Sequence, residues 1–149
     1  MKNLLIRRQI DTLYHFTQAK NLTNIFRYGL LPRDILEKRR INSYFNDDYR
    51  YDDCLNAICM SLEFPNYKMF YKLRQENIMT DWAVLKLNAQ ILCDFVCAYC
   101  WTNAGDAMMY NIPIEQRIGK SAFLELFKDC PNYPSRTELD IPDFYPTNP

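Results

Sequence analysis

Histidine occurs once in these 149 residues, at His15, and glycine three times, at Gly29, Gly105 and Gly119. One histidine is a poor basis for metal catalysis through imidazole ligands. Three isolated glycines cannot form a Gly-rich phosphate loop, which argues against a dinucleotide-binding Rossmann site. No G-x-S-x-G elbow is present. Charge of one sign is also missing: 18 basic and 18 acidic side chains give a formal net charge of zero. That argues against broad adhesion to nucleic acid or membrane and leaves room for a local basic patch. No apolar run approaches the roughly 18 residues of a membrane span. Residues 1–8 lack the longer apolar core and small-residue cleavage site of a signal peptide, so a cytoplasmic location is expected.

Apolar residues make up 48% and aromatics 15%, with 11 Tyr and 9 Phe. A chain of this length is expected to be one domain with a real core, too small to enclose every ring. Some aromatics must therefore line a surface or cleft. The six cysteines are Cys54, Cys59, Cys93, Cys97, Cys100 and Cys130. Cys97 and Cys100 form one C-x-x-C pair, and with Cys93 and Cys130 they raise the option of a small zinc-bound domain. No second pair exists and the histidine is distant, so buried apolar thiols are expected, with no metal. A thiol nucleophile working with His15 stays open, but no cysteine has a distinctive context.

In chain order, residues 4–10 alternate weakly and suggest an edge strand or a loose arm. Thr12 to Phe16 is the first firm strand. A helix follows from about Asn21 to Tyr28, capped by Thr17 or a neighbour. Its apolar stripe is Leu22, Ile25 and Phe26, and Gly29 and Pro32 end it. Asp34 to Arg40 is a short helical turn ending in Lys38-Arg39-Arg40, which complements the helix dipole or meets a phosphate backbone. Residues 41–55 form a long polar and aromatic loop of the kind that carries binding residues. In it Arg50 is the one cation among Asp47, Asp48, Asp52 and Asp53. The pattern predicts a buried strand over 56–62, a helix over 66–75 after Pro65, and a strand over 82–87. It also predicts a strand over 95–101, a turn at 103–106, and a helix over 122–128 capped by Ser121. Five of the eight prolines lie in residues 131–149, where no period survives. That segment is expected to be a disordered end or an extended lead into something else.

Each candidate site residue has a plain structural alternative. A histidine on a core strand is more often structural than functional. Tyr67, Phe70 and Tyr71 at helical spacing suit a core face. Arg50 can pair with the flanking aspartates, or act as a clamp for a phosphate or a base.

The order of the motifs tips this balance. Tyr14-His15-Phe16-Thr17, Asn21-Leu22, Ile25 and Gly29-Leu30-Leu31 resemble the opening of DarT-type DNA ADP-ribosyltransferase toxins. So do Tyr49-Arg50-Tyr51-Asp52, Asn56-Ala57, Ser61 and Phe64-Pro65-Asn66-Tyr67-Lys68-Met69-Phe70-Tyr71. The ending Ile141-Pro142-Asp143-Phe144-Tyr145-Pro146-Thr147-Asn148-Pro149 is similar to the lead into the family's Gln-Ala-Glu strand. The likeness runs along nearly the whole chain. It implies an α+β fold, with an ADP-ribosyltransferase-like split antiparallel β core and flanking helices. It implies cleavage of NAD at the nicotinamide–ribose bond and transfer of ADP-ribose to a base in single-stranded DNA. It also implies a DarG-type macrodomain antitoxin as partner.

By position, the resemblance places His15 on the ribose of NAD, with the Phe16 backbone and the Thr17 hydroxyl nearby. Asn21 falls on the same rim, and Tyr71 stacks on the nicotinamide. Arg50 falls near the target base, where it assists proton removal. The family's catalytic glutamate is expected just past residue 149, and none of Glu63, Glu115, Glu125 and Glu138 has its context. On this basis the chain is a domain truncated before the glutamate strand, with impaired transfer activity. The alternative is an inactive ADP-ribosyltransferase-like module that binds single-stranded DNA or a protein.

Overall fold

The computed structural model describes residues 1–46, 50, 54–129, 134–142 and 144–147. Its architecture is α+β. A three-stranded antiparallel sheet in the order β2-β1-β3 is built from β1 (Thr12–Gln18), β2 (Ser61–Leu62) and β3 (Trp82–Asn88). Around it lie α1 (Lys2–Arg8), α2 (Leu22–Tyr28), α3 (Arg33–Lys38), α4 (Tyr67–Glu76), α5 (Ile91–Asp94), α6 (Ala107–Tyr110) and α7 (Gly119–Glu125). No helix among the described residues is long and apolar enough to cross a membrane.

The sheet is lopsided. β1 pairs with β3 from Thr12↔Asn88 to Gln18↔Trp82. With β2 it pairs only at Leu13↔Leu62 and Tyr14↔Ser61. Side chains alternate along a strand. Leu13, His15 and Thr17 therefore share one face, and Tyr14, Phe16 and Gln18 share the other. Leu13 is 1% exposed and joins a core with Leu62, Leu92, Tyr99, Phe123 and Phe127. On the opposite face Phe16 stacks on Phe70 of α4 at 4.8 Å, and both rings meet the edge of Trp82. This triplet fixes α4 against the far half of β1.

Several sequence expectations are corrected. Residues 2–8 are helical, not an edge strand or loose arm. Met1, Leu4 and Leu5 all pack on one core, and the spacing i, i+3, i+4 does this only in a helix. The helix ends at Gln9 with φ 53°, and Ile10 N–H donates to the Leu5 carbonyl. The strand expected over 56–62 shrinks to Ser61–Leu62. Upstream, the backbone acceptors serve side chains: the Ala57 carbonyl accepts from Arg50 and the Cys59 carbonyl from His15. The strand expected over 95–101 is a single bridge, Ala98↔Ile118, and Phe95 and Val96 are exposed, with no strand paired to them among the described residues.

The C-terminal helix starts at Gly119, two residues before Ser121, so Ser121 is not its cap. Likewise α2 has no side-chain cap, and Phe26 of its expected apolar stripe is 82% exposed. The helix after Pro65 forms as expected, with Asn66 Oδ1 accepting from the Met69 amide at 3.1 Å.

The proline-rich end turns back on the body. Ser135 and Glu138 make a reciprocal capping box: the Glu138 carboxylate accepts from the Ser135 amide and hydroxyl, and Ser135 Oγ accepts from the Glu138 amide. Those bonds hold the Glu138 carboxyl below its usual range. Arg136 donates to Thr147 Oγ1 and to the Pro142 carbonyl. The Thr147 amide reaches the Leu126 carbonyl, just past α7, and Tyr145 packs near Phe64.

Phe123 is 0% exposed and its neighbour Leu124 is 37% exposed. Phe123→Ala is expected to cost about 3–5 kcal/mol and Leu124→Ala under about 1 kcal/mol. Urea denaturation measures both; equal costs would mean that α7 buries a different face.

Candidate functional site

Past Tyr14, β1 has no strand on its β2 side among the described residues. The amide and carbonyl of one residue in an antiparallel strand point the same way. The Phe16 carbonyl accepts from Asn46 on this side, so the Phe16 amide points there too. Side chains hold the edge instead of a ladder.

His15 is the first of them. Its Nδ1 lies 2.8 Å from the Cys59 carbonyl oxygen. A carbonyl has no proton to give, so Nδ1 carries the hydrogen and donates. Burial lowers the pKa of the ring against the smaller opposing effect of that bond, so the imidazole is neutral near pH 7. A neutral ring with its proton on Nδ1 has a bare lone pair on Nε2. At that atom His15 accepts hydrogen bonds and does not donate them.

Asn21 is buried, and its amide is fully engaged. Nδ2 donates to Thr17 Oγ1 at 2.9 Å and to the Tyr44 carbonyl at 2.7 Å, while Oδ1 accepts from the Tyr44 amide at 2.9 Å. Three more amides extend this clasp. Asn24 donates to the Asn42 carbonyl, Gln18 to the Phe45 carbonyl, and Asn46 to the Phe16 carbonyl. Residues 42–46 are thus laid along the open end of β1. The loop is tied down by these bonds up to Asn46. Its rings sit beside cations: Lys20 Nζ lies 5.3 Å from the Tyr44 ring centroid and the Arg33 guanidinium 3.9 Å from that of Phe45.

Two buried polar atoms here meet no partner among the described residues, Asn46 Oδ1 and Trp82 Nε1. Asn46 bonds to Phe16 and Trp82 packs against it. Buried polar groups are normally paired. This end of the sheet therefore holds hydrogen-bonding capacity that a ligand or a water can take up. Two surface recesses lie elsewhere. One is lined by Met1, Lys2, Asn3, Leu4, Arg7 and Lys120, and the other includes Leu92, Phe95, Val96 and Ile118.

Of the residues expected at the site, His15, Phe16, Thr17 and Asn21 come together. Arg50 is placed by a 3.2 Å bond from Nη1 to the Ala57 carbonyl, two residues from the carbonyl that holds His15. The aspartates proposed as its partners, Asp47, Asp48, Asp52 and Asp53, lie outside the described residues, as do Tyr49 and Tyr51. Tyr71 is 59% exposed, and no hydrogen bond or ring contact ties it to His15 among the described residues. Phe70, its neighbour, is the ring that meets the strand. Lys38, Arg39 and Arg40 are exposed at the end of α3.

The glutamates are engaged elsewhere or exposed. Glu63 Oε1 accepts from the amides of Asp11 and Thr12, which fastens the start of β1 and not its open end. Glu76 meets Lys72, and Glu125 meets Lys128. Among the described residues no three His, Cys, Asp or Glu side chains converge as a metal set; Cys130 lies outside those residues. Cys54, Cys59, Cys93, Cys97 and Cys100 are thiols, not disulfides, but they are not the buried thiols expected: Cys59 is exposed and the other four are half-buried. Sequence reasoning missed Asn24, Gln18, Asn46 and Trp82. The only signal was a density of amides around an exposed-looking loop.

A family model described as "ssDNA thymidine ADP-ribosyltransferase, DarT" matches residues 14–145. No curated protein matches the chain.

Asn21→Ala is expected to cost about 2–3 kcal/mol, since it strips partners from buried polar groups. It should also speed hydrogen exchange at the Tyr44 amide; unchanged exchange there would show that the clasp does not hold the loop. The His15 ring predicts a pH dependence. The unfolded ring takes up a proton below about pH 6.5, the folded ring only at lower pH. Stability therefore falls as pH drops through about 6.5 and keeps falling until the folded ring titrates. Urea midpoints at acid and neutral pH should show a smaller drop in His15→Gln than in the parent.

Proposed function

The chain belongs to the DarT family, whose members ADP-ribosylate single-stranded DNA, and on that premise we propose that it takes NAD along the open edge of β1. ADP-ribose then passes to thymidine in single-stranded DNA. The observation that carries this reading is the state of His15, a neutral ring whose proton is committed to the Cys59 carbonyl. Such a ring orients a ribose by accepting from a hydroxyl at Nε2. It adds no positive charge beside a carbon that becomes oxocarbenium-like as the nicotinamide leaves. A charged imidazolium there would oppose the reaction.

The remaining roles follow from position. The Phe16 amide faces the open edge and is a donor for the bound nucleotide. Thr17 keeps its hydroxyl proton to donate, because its oxygen accepts from Asn21. Asn21 acts on the rim by holding Tyr44, since its own amide is spent. Tyr71 supplies an exposed ring for the planar nicotinamide. Arg50 stands near the incoming base and takes part in removing its proton. Tyr44 and Phe45, each beside a cation, offer bases a stacking surface that needs no excess net charge. The same reading makes the chain a single toxin-like domain of the cytoplasm, reversed by a DarG-type macrodomain antitoxin.

A second reading rests on the glutamates. Among the described residues no hydrogen bond ties a glutamate to the His15 edge, and Glu63 is bonded to the start of β1. Were no carboxylate to stand at the ribose, transfer would fall by orders of magnitude. An impaired enzyme, or a module that binds single-stranded DNA or a protein without turnover, fits that arrangement.

A thermal shift assay separates binding from turnover. About 1 mM NAD should raise the melting temperature by roughly 3–6 °C if the dissociation constant is about 0.1 mM. His15→Ala should abolish most of the rise. No rise in a folded sample ends the NAD reading. Mass spectrometry of an oligonucleotide with one thymidine then decides the second question. A gain of one ADP-ribose, absent when the thymidine is replaced, marks an enzyme; NAD binding without that gain marks the impaired form.

A further inference from the structure

A second polar feature lies on a different part of the chain from β1 and does not depend on the reading above. The segment around Ala98 crosses Ile118 in one antiparallel bridge, and the Tyr99 amide donates to the Arg117 carbonyl at 2.7 Å. The crossing sets Arg117 Nη1 3.7 Å from Cys100 Sγ. Arg117 is only 7% exposed. A guanidinium keeps its charge inside a protein, and a buried charge without a counter-ion is costly. Yet no carboxylate pairs with Arg117 among the described residues, and its Nε is buried with no acceptor. What the guanidinium does meet is a sulfur that becomes an anion by losing one proton.

We propose that Arg117 holds Cys100 as a thiolate and thereby makes it a modification site, one that soft electrophiles attack ahead of its companion Cys97. A neighbouring arginine is one of the settings that favour thiolate over thiol. Cys100 is half-buried and not sealed in the core. Cys97, its C-x-x-C companion, behaves oppositely. Burial pushes its thiol up, and its sulfur sits 3.6 Å from the Phe95 carbonyl, an acceptor that suits the protonated form. The pair is thus one protonated thiol and one thiolate, and not two equal metal ligands. With iodoacetamide, the Cys100 sulfur attacks the carbon bearing iodine. The S–C bond forms, the C–I bond breaks, and iodide leaves with the electron pair. No proton has to be removed.

The test is competitive labelling with iodoacetamide at pH 7, followed by peptide mass spectrometry. An ordinary thiol is only a few per cent ionised at that pH. Full ionisation, discounted for the lower nucleophilicity of a less basic thiolate, gives about a tenfold advantage. Cys100 should therefore label about ten times faster than Cys97. In concentrated urea the advantage should disappear, because the crossing that brings Arg117 to the sulfur is lost. Arg117→Met, if folded, should lose it as well. Native labelling of Cys100 at the pace of Cys97 overturns the proposal. So does an advantage that persists in urea or in folded Arg117→Met. If that variant does not fold, the comparison between native and urea-unfolded protein decides.

Discussion

Seven pairs on one edge of β1 and two on the other make a strand that is well anchored but half open. The full ladder with β3 fixes where every side chain of β1 points. The short ladder with β2 leaves the backbone beyond Tyr14 in need of other partners. Those partners are side chains, from His15 reaching out to Cys59, from Asn46 reaching in to Phe16, and from Asn21 bridging Thr17 to Tyr44. Had Ala57 to Met60 extended β2 as their apolar character suggests, the edge that offers the candidate site would be closed.

The order of the motifs made the family legible before any geometry. Thr12 to Phe16, the helix after Pro65 and the strand from Trp82 were legible because each has a clean local signal. The failures share a cause. Residues 57–60 and 95–101 are apolar enough for strands, but a strand also needs an edge to pair with, and that is a tertiary fact. Helix α1 was hidden because Met1, Leu4 and Leu5 only reveal a shared face once the core they touch is known. At the site, His15 stood out by being alone of its kind. Asn24, Gln18 and Asn46 did not, because amides are common in loops and their partners are backbone atoms, which carry no residue-specific mark.

Electrostatics at the site follow from the same economy. The chain carries no net charge, and Lys20 and Arg33 are individual cations set beside the rings of Tyr44 and Phe45. The ring of His15 is kept neutral by burial and its tautomer is chosen by one carbonyl. At the far crossing, by contrast, a buried arginine is set against a thiol. In both cases a backbone segment that never became a regular strand positions a titratable side chain.

The clasp over the open edge has a consequence for how such a protein can change over time. A ladder of backbone bonds is indifferent to sequence, and it can be altered only by moving whole strands. An edge dressed by Asn21, Asn24, Gln18 and Asn46 is different, since each contact belongs to one codon. The shape of the loop along β1 can drift by single replacements while the pairing of β1 with β3 stays intact. The path of the loop can therefore change one residue at a time while the sheet that carries it stays folded.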